Sequence, residues 1–180
     1  MRLLKNDTLT LVVDFQERLF PVIHQHEQLL KSVPILLQGL QALEVPMLVT
    51  EQYRKGLGAT VAEFNALLGG VPNMEKMAFS CCDDPAIMEK IELSGCRTVL
   101  LCGIESHICV LQTAIDLKER GFKPVVVTDC VSSRTPENKA MALERMKQEG
   151  ILLTTYESVL FELCRYAGTD AFKVISKLVK

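Results

Sequence analysis

The chain is predicted to adopt a three-layer α/β/α fold, a parallel sheet covered by helices on both faces. Two observations carry this. Short apolar, β-branched runs alternate from end to end with helix-length stretches, with no repeat, low-complexity tract or linker between them. Alternation of that kind gives parallel strands joined by right-handed crossovers. The central runs, such as Thr98-Val99-Leu100-Leu101-Cys102 and Val125-Val126-Val127, are apolar at successive positions rather than at every second one, as strands covered on both faces must be. Length adds a bound: the 180 residues are expected to form one domain, 1–180. Folding hides roughly 70% of the unfolded surface at this size, enough for a core without disulfides or metal.

Strands are expected at 8–14, 46–50, 73–79, 97–103, 123–129 and 150–154, the third being the least apolar. Helical stretches lie between and after them, at 26–43, 60–68, 85–93, 106–120, 136–148, 157–166 and 170–178. Thr135-Pro136 is an N-cap followed by proline at the first helical position, and Gly121 and Gly150 stand where helices should stop. Pro34 interrupts the first helical pattern, which should therefore kink or begin later than residue 26.

Charge and cysteine content narrow the function classes. Twenty basic residues against twenty-two acidic ones leave a formal net charge of -2. Neither a basic excess nor a basic run marks the chain as a nucleic-acid binder. No run of about 18 apolar residues is present to span a membrane, and Arg2, Lys5 and Asp7 break any signal-peptide pattern in the first fourteen residues. The expected compartment is cytoplasmic. Seven cysteines, at 81, 82, 96, 102, 109, 130 and 164, are odd in number and form no C-x-x-C. That argues against a disulfide framework and a thiolate zinc site, and leaves most of them as small core residues.

In a parallel sheet of this class ligands bind beyond the carboxyl ends of the strands. Asp14 stands at the end of the first strand and Lys76 in the third. The fourth runs through Gly103-Ile104-Glu105-Ser106-His107-Ile108-Cys109 into a helix. An acid, an amine and a thiol can thus converge on one sheet edge. A helix N-terminus and a nearby ammonium favour a thiolate. Asp14 can take the thiol proton and return it to a leaving amine, and backbone N–H groups around 105–109 can hold an oxyanion. Together these describe acyl transfer through a thioester. Taken singly, each residue also has a structural reading: Cys109 as a core thiol, Asp14 as a polar strand end, Lys76 as a surface lysine.

The motifs resemble those of the isochorismatase-like cysteine hydrolases over most of the chain. They are Leu11-Val12-Val13-Asp14-Phe15-Gln16, Thr50-Glu51-Gln52-Tyr53 with Gly56-Leu57-Gly58, Lys76 with Phe79-Ser80, Gly103 to Ala114, and Val127 to Arg134. The segment from Gly103 to Ala114 is the most specific. The resemblance implies an Asp14–Lys76–Cys109 triad, an oxyanion hole made by the Glu105 and Cys109 N–H groups, and a cis Ile104–Glu105 peptide. It also implies a six-stranded sheet in order 3-2-1-4-5-6 and a homo-oligomer. Gln16, Tyr53 and Phe79 become substrate-pocket residues by the same resemblance. His107 is a further substrate contact, with a capping or packing role as its alternative. Within the family the chain is most similar to the short isochorismatase-domain branch of unknown substrate.

Two features separate it from better-known branches. Nicotinamidases carry a metal-binding aspartate and histidines after the second strand, whereas here Thr50 to Gly56 contains no histidine. No metal or other cofactor is therefore expected. Isochorismate-cleaving members often lack the cysteine that this chain keeps. The expectation is a cysteine-dependent hydrolase of a C–N bond in a small-molecule amide, ureide or carbamate, the alternative being a non-catalytic binding protein. Nuclease chemistry fits poorly.

His24 and His26 are expected to be solvated loop residues, and Cys81-Cys82 to line or underlie the wall near Lys76. Arg54 and Lys55 flank the pocket mouth, either attracting a carboxylate or solvated. Asp129 and Arg134 are expected to organise the loop after the fifth strand by local pairing. Phe161, Leu163, Tyr166 and Phe172 are candidates for an oligomer interface.

Overall fold

The computed structural model describes residues 2–180. Strands β1 (Thr8–Val13), β2 (Met47–Gln52), β3 (Asn73–Lys76), β4 (Thr98–Ile104), β5 (Lys123–Ser132) and β6 (Leu152–Thr154) form one sheet in order β3-β2-β1-β4-β5-β6. Every neighbouring pair is parallel, as the alternating pattern requires. Every residue of β1 and β4 is buried, which is why these runs are apolar at successive positions. Alternate side chains feed two separate cores. Val12, Leu100, Cys102 and Val125 pack with one set of helices, and Leu11, Val13, Leu101 and Val126 with the other.

The first set comprises α1 (His26–Ala42), α3 (Ala62–Leu67), α7 (Tyr156–Cys164) and α8 (Asp170–Leu178). The second comprises α4 (Pro85–Leu93), α5 (Leu111–Glu119) and α6 (Pro136–Gln148). A one-turn helix, α2 (Arg54–Leu57), follows β2; no apolar periodicity announced it. Thr135 caps α6 as expected, its hydroxyl accepting from Asn138 N at 3.2 Å. Of the two outcomes allowed by Pro34, the later start is not taken: α1 begins at His26 and carries Pro34 in its interior.

Of the boundaries that differ from the sequence pattern, three differ most, and two of these bear on function. The third strand ends at Lys76 rather than at 79, because the Lys76 ammonium gathers the Ala78 and Phe79 carbonyls (3.2 and 3.1 Å) and turns the chain off the sheet. The stretch expected as one helix from 106 opens instead with a π turn, Ser106–Val110, closed by Val110 N donating to Glu105 O at 3.3 Å. The fifth strand continues to Ser132, with an irregularity in its register against β4 between Leu101 and Gly103.

Gly103 sits at the tightest point of the sheet. Its φ is +146°, and a Cβ there would lie 2.3 Å from Val13 O. Only glycine lets β4 approach β1 so closely just before Asp14.

Candidate active site

Asp14 follows β1 directly and adopts φ +54°, which turns it out of the strand. Its Oδ1 accepts from Thr50 Oγ1 at 2.7 Å, and its Oδ2 from Lys76 Nζ at 2.7 Å. Lys76 ends β3, two strands away, so its long side chain crosses the end of β2 to reach β1. On the way it donates to Gln52 Oε1 at 2.8 Å. With Asp14, Gln52, Ala78 O and Phe79 O around it, the ammonium has four acceptors for three N–H groups. Lys76 and Asp14 are each 1% exposed, which removes the surface-lysine reading. Burial pulls the Lys76 pKa down, but Asp14, with Cys109 and Cys81, outweighs it and holds the value above that of an ordinary lysine.

Cys109 lies in the π turn, 7% exposed, and lines the same cavity as Asp14. Its resting state corrects the expectation of a thiolate. Burial and the adjacent Asp14 anion push the thiol pKa well up, and Lys76 only partly offsets them. The sulfur is held as a neutral thiol. Cys81, behind Thr50, is fully buried and pushed up to about 11 by burial and by Asp14. Cys82 is pushed up to about 12 by burial, with Cys81 adding to the shift. Both underlie the wall and neither lines the cavity.

Asp14 and Cys109 open on a cavity of about 250 Å³. Of the site residues expected from the sequence, Asp14, Phe79, Glu105 and Cys109 line it. The other four do not: Lys76 stands behind Asp14, and Gln16, Tyr53 and His107 are directed elsewhere. Gln16 is fully buried, and its side-chain amide is consumed by the adjoining loop: Oε1 accepts from Gln52 N (2.7 Å), and Nε2 donates to Gln52 O and Gly58 O (3.0 and 2.7 Å). Tyr53 precedes α2, where its half-exposed ring lies against Gly56. His107 turns its Nδ1 to Ser133 Oγ at 2.9 Å, the packing alternative.

Leu19, Gln52, Leu57, Ile108 and Arg134 complete the lining. Gln52 ends β2 and Leu57 follows it, where the strand-end rule points; Arg134, expected to organise the loop after the fifth strand, also reaches the wall. It does not pair with Asp129. Its Nε donates to Glu105 Oε2 at 3.1 Å, and its backbone N to the same oxygen at 3.0 Å, while Asp129 Oδ1 accepts from Tyr156 N at the start of α7. The Ile104–Glu105 peptide is cis.

Residues flanking the mouth turn away from it. Arg54 Nε faces Glu51 Oε2 at 3.4 Å, and its backbone N donates to Glu75. Glu51 is itself buried and accepts from Thr60 N, Thr60 Oγ1 and Asn73 Nδ2 (2.7, 2.8 and 2.8 Å). It therefore pins the loop that carries Leu57. His26 packs edge-on against Phe20, and His24 joins the 132–133 strand end through its backbone. Among the interface candidates, Leu163 belongs to the core, whereas Phe161 and Tyr166 are exposed.

An isochorismatase domain model matches residues 8–158. The secreted isochorismatase effector Isc1 of Phytophthora sojae is 39% identical over 188 residues, covering 99% of this chain and 87% of that protein. Among solved structures, the MAR1 ribonuclease of Caenorhabditis elegans superposes with a TM-score of 0.93 at 35% identity, covering 99% of this chain and 92% of that one. The ycaC product of Escherichia coli, described as an octameric hydrolase of unknown specificity, gives 0.93 at 25% identity over 99% and 89% of the two chains. With a six-stranded sheet in the matching order and this likeness along its whole length, the chain belongs to the isochorismatase family.

Proposed function

We propose that the chain is a cysteine hydrolase that cleaves a C–N bond in a small-molecule amide, ureide or carbamate through a thioester. One observation carries this: Cys109 and Asp14 line one cavity, and Asp14 is ion-paired from behind with Lys76 at 2.7 Å. In the first half-reaction Asp14 accepts the thiol proton as sulfur adds to the carbonyl carbon. The Glu105 and Cys109 N–H groups hold the resulting oxyanion. Asp14 then gives the proton to the leaving nitrogen, the C–N bond breaks and the amine departs. In the second half a water loses a proton to Asp14 and adds to the thioester carbon. The C–S bond breaks, the sulfur regains its proton and the acid is released.

Lys76 is assigned no proton transfer. Its N–H groups are shared among four acceptors, so it orients Asp14 and balances its charge. The neutral resting thiol fits this division, since sulfur becomes nucleophilic only as Asp14 takes its proton. The compartment we propose is cytoplasmic, and all seven cysteines are free, the state a reducing environment maintains. Self-association, as stated for the E. coli relative, is supported by the exposed Phe161 and Tyr166 on and after α7.

The test is a screen of amides, ureides and carbamates with intact-mass detection. The expected result is turnover with a covalent acyl adduct on Cys109, both absent in Cys109→Ala. Turnover that survives Cys109→Ala removes the covalent mechanism, and ligand binding without any turnover leaves a binding protein. The C. elegans relative is named a ribonuclease; RNA cleavage by this chain that persists in Cys109→Ala would put phosphodiester chemistry in place of the amide reading.

A further inference from the structure

The cavity's charge arrangement bears on which molecules it admits. Three charged side chains line it, Asp14, Glu105 and Arg134, and each carboxylate has its own cation. Asp14 has Lys76 at 2.7 Å, and Glu105 has the Nε of Arg134 at 3.1 Å. The second pair is asymmetric in depth. The Glu105 side chain is 6% exposed and that of Arg134 56%, so the carboxylate lies inside and the guanidinium nearer the solvent. Glu105 Oε2 also takes the backbone N–H of Arg134, which fixes the two residues to one another by main chain and side chain together.

Among the described residues no other cation lines this space. Arg54 faces Glu51, and Arg18 donates to the Gly56 carbonyl at 2.8 Å. The remaining walls are largely apolar. An incoming carboxylate would shed its water against those walls, and the guanidinium it met would already be neutralised by Glu105. An uncharged carbonyl compound sheds far less solvation and meets no such deficit.

We propose that the Glu105–Arg134 pair acts as a charge filter that restricts the cavity to uncharged acyl substrates and excludes those bearing a carboxylate. This rests on Cys109 being the nucleophile. It makes Arg134 and the Glu105 side chain specificity determinants, and it separates the chain from any relative that takes an anionic substrate.

Two alkylating reagents of nearly equal size, iodoacetamide and iodoacetate, test it on the full-length protein. Modification of Cys109 is followed by peptide mass spectrometry at pH 8, and the rate ratio of the neutral to the anionic reagent is normalised to that of 2-mercaptoethanol. Wild type is expected to favour iodoacetamide by about tenfold beyond the free thiol, the scale of a partly screened charge effect over a few ångströms. Glu105→Gln leaves Arg134 uncompensated and should bring the ratio below that of the free thiol. Arg134→Gln leaves Glu105 uncompensated and should raise the ratio above wild type. Loosened structure alone would carry either variant towards the free-thiol value and not past it, so these opposite displacements separate charge selection from damage. A wild-type ratio equal to that of the free thiol overturns the filter, as does a shift of both variants in the same direction. Complete absence of Cys109 alkylation by iodoacetamide instead removes the nucleophile assignment on which the filter stands.

Discussion

Lys76→Met replaces the buried cation with an unbranched apolar side chain, and the cost follows from what remains. In the wild-type chain Nζ binds Asp14 Oδ2 (2.7 Å), Gln52 Oε1 (2.8 Å), Phe79 O (3.1 Å) and Ala78 O (3.2 Å). The variant leaves the Asp14 carboxylate, 1% exposed, without its cation and with Thr50 Oγ1 as a remaining donor. Removing one member of a buried ion pair costs about 3–5 kcal/mol, because the survivor is neither solvated nor paired. With a urea m-value of about 2 kcal/mol/M, the unfolding midpoint should fall by about 2 M at pH 7.

The pH dependence has a definite sign. On the alkaline side, burial lowers the Lys76 pKa while Asp14, Cys109 and Cys81 raise it further, for a net rise above 10.5. A raised lysine contributes stability that is complete below its unfolded pKa and is lost as pH climbs through the folded one. The gap between wild type and variant therefore closes from that side only above pH 10.5. Asp14→Asn added to Lys76→Met removes the stranded charge and should recover part of the loss at pH 7. Urea titrations of wild type, both single variants and the double variant at pH 7 measure this. A Lys76→Met variant within about 1 kcal/mol of wild type would falsify the buried-pair argument, since exposed pairs are worth no more than that; so would simple additivity in the double variant.

Three other outcomes follow from the same geometry. Cys109→Ala should abolish turnover and acyl-adduct formation while leaving the urea midpoint within about 0.5 M of wild type, because a small side chain is exchanged for a smaller one. Asp14→Asn should lower the Cys109 pKa, since the carboxylate is a leading cause of its rise after burial. Cys109 alkylation should then set in at lower pH although turnover is lost, and an upward displacement of that pH profile contradicts the electrostatic account. Gly103→Ala should destabilise by about 3 kcal/mol, read as a fall in thermal midpoint, and should also slow turnover. Its Cβ would meet Val13 O at 2.3 Å, one residue before Asp14, and unaltered stability and rate would refute the close approach.

Much of the fold was legible because it follows from solvent exclusion along the chain. The runs in β1, β4 and β5 are apolar at successive positions because both faces of the sheet are covered, and that pattern distinguishes a central parallel strand from a half-exposed one. Thr135-Pro136 marked a helix start because capping is a local interaction. The misplaced boundaries have non-local causes. The third strand stops at Lys76 because an ammonium anchored to Asp14 draws two carbonyls toward itself, and no local propensity encodes that. The π turn at 106–110 widens a helix that periodicity alone would have started as α.

By itself the sequence determined that an acid, an amine and a thiol stand at the ends of strands in one parallel sheet, since strand ends and residue types are properties of the chain. Which groups touch was decided by the tertiary structure. The sheet order lets the Lys76 side chain cross β2 to Asp14. Burial, with that carboxylate, keeps the Cys109 thiol neutral where proximity to a cation suggested an anion. Folding likewise turned Gln16, Tyr53 and His107 away from the cavity and brought Gln52 and Arg134 to it. Hydrogen bonds between segments far apart in sequence set those directions, and desolvation energies exist only once water has been excluded.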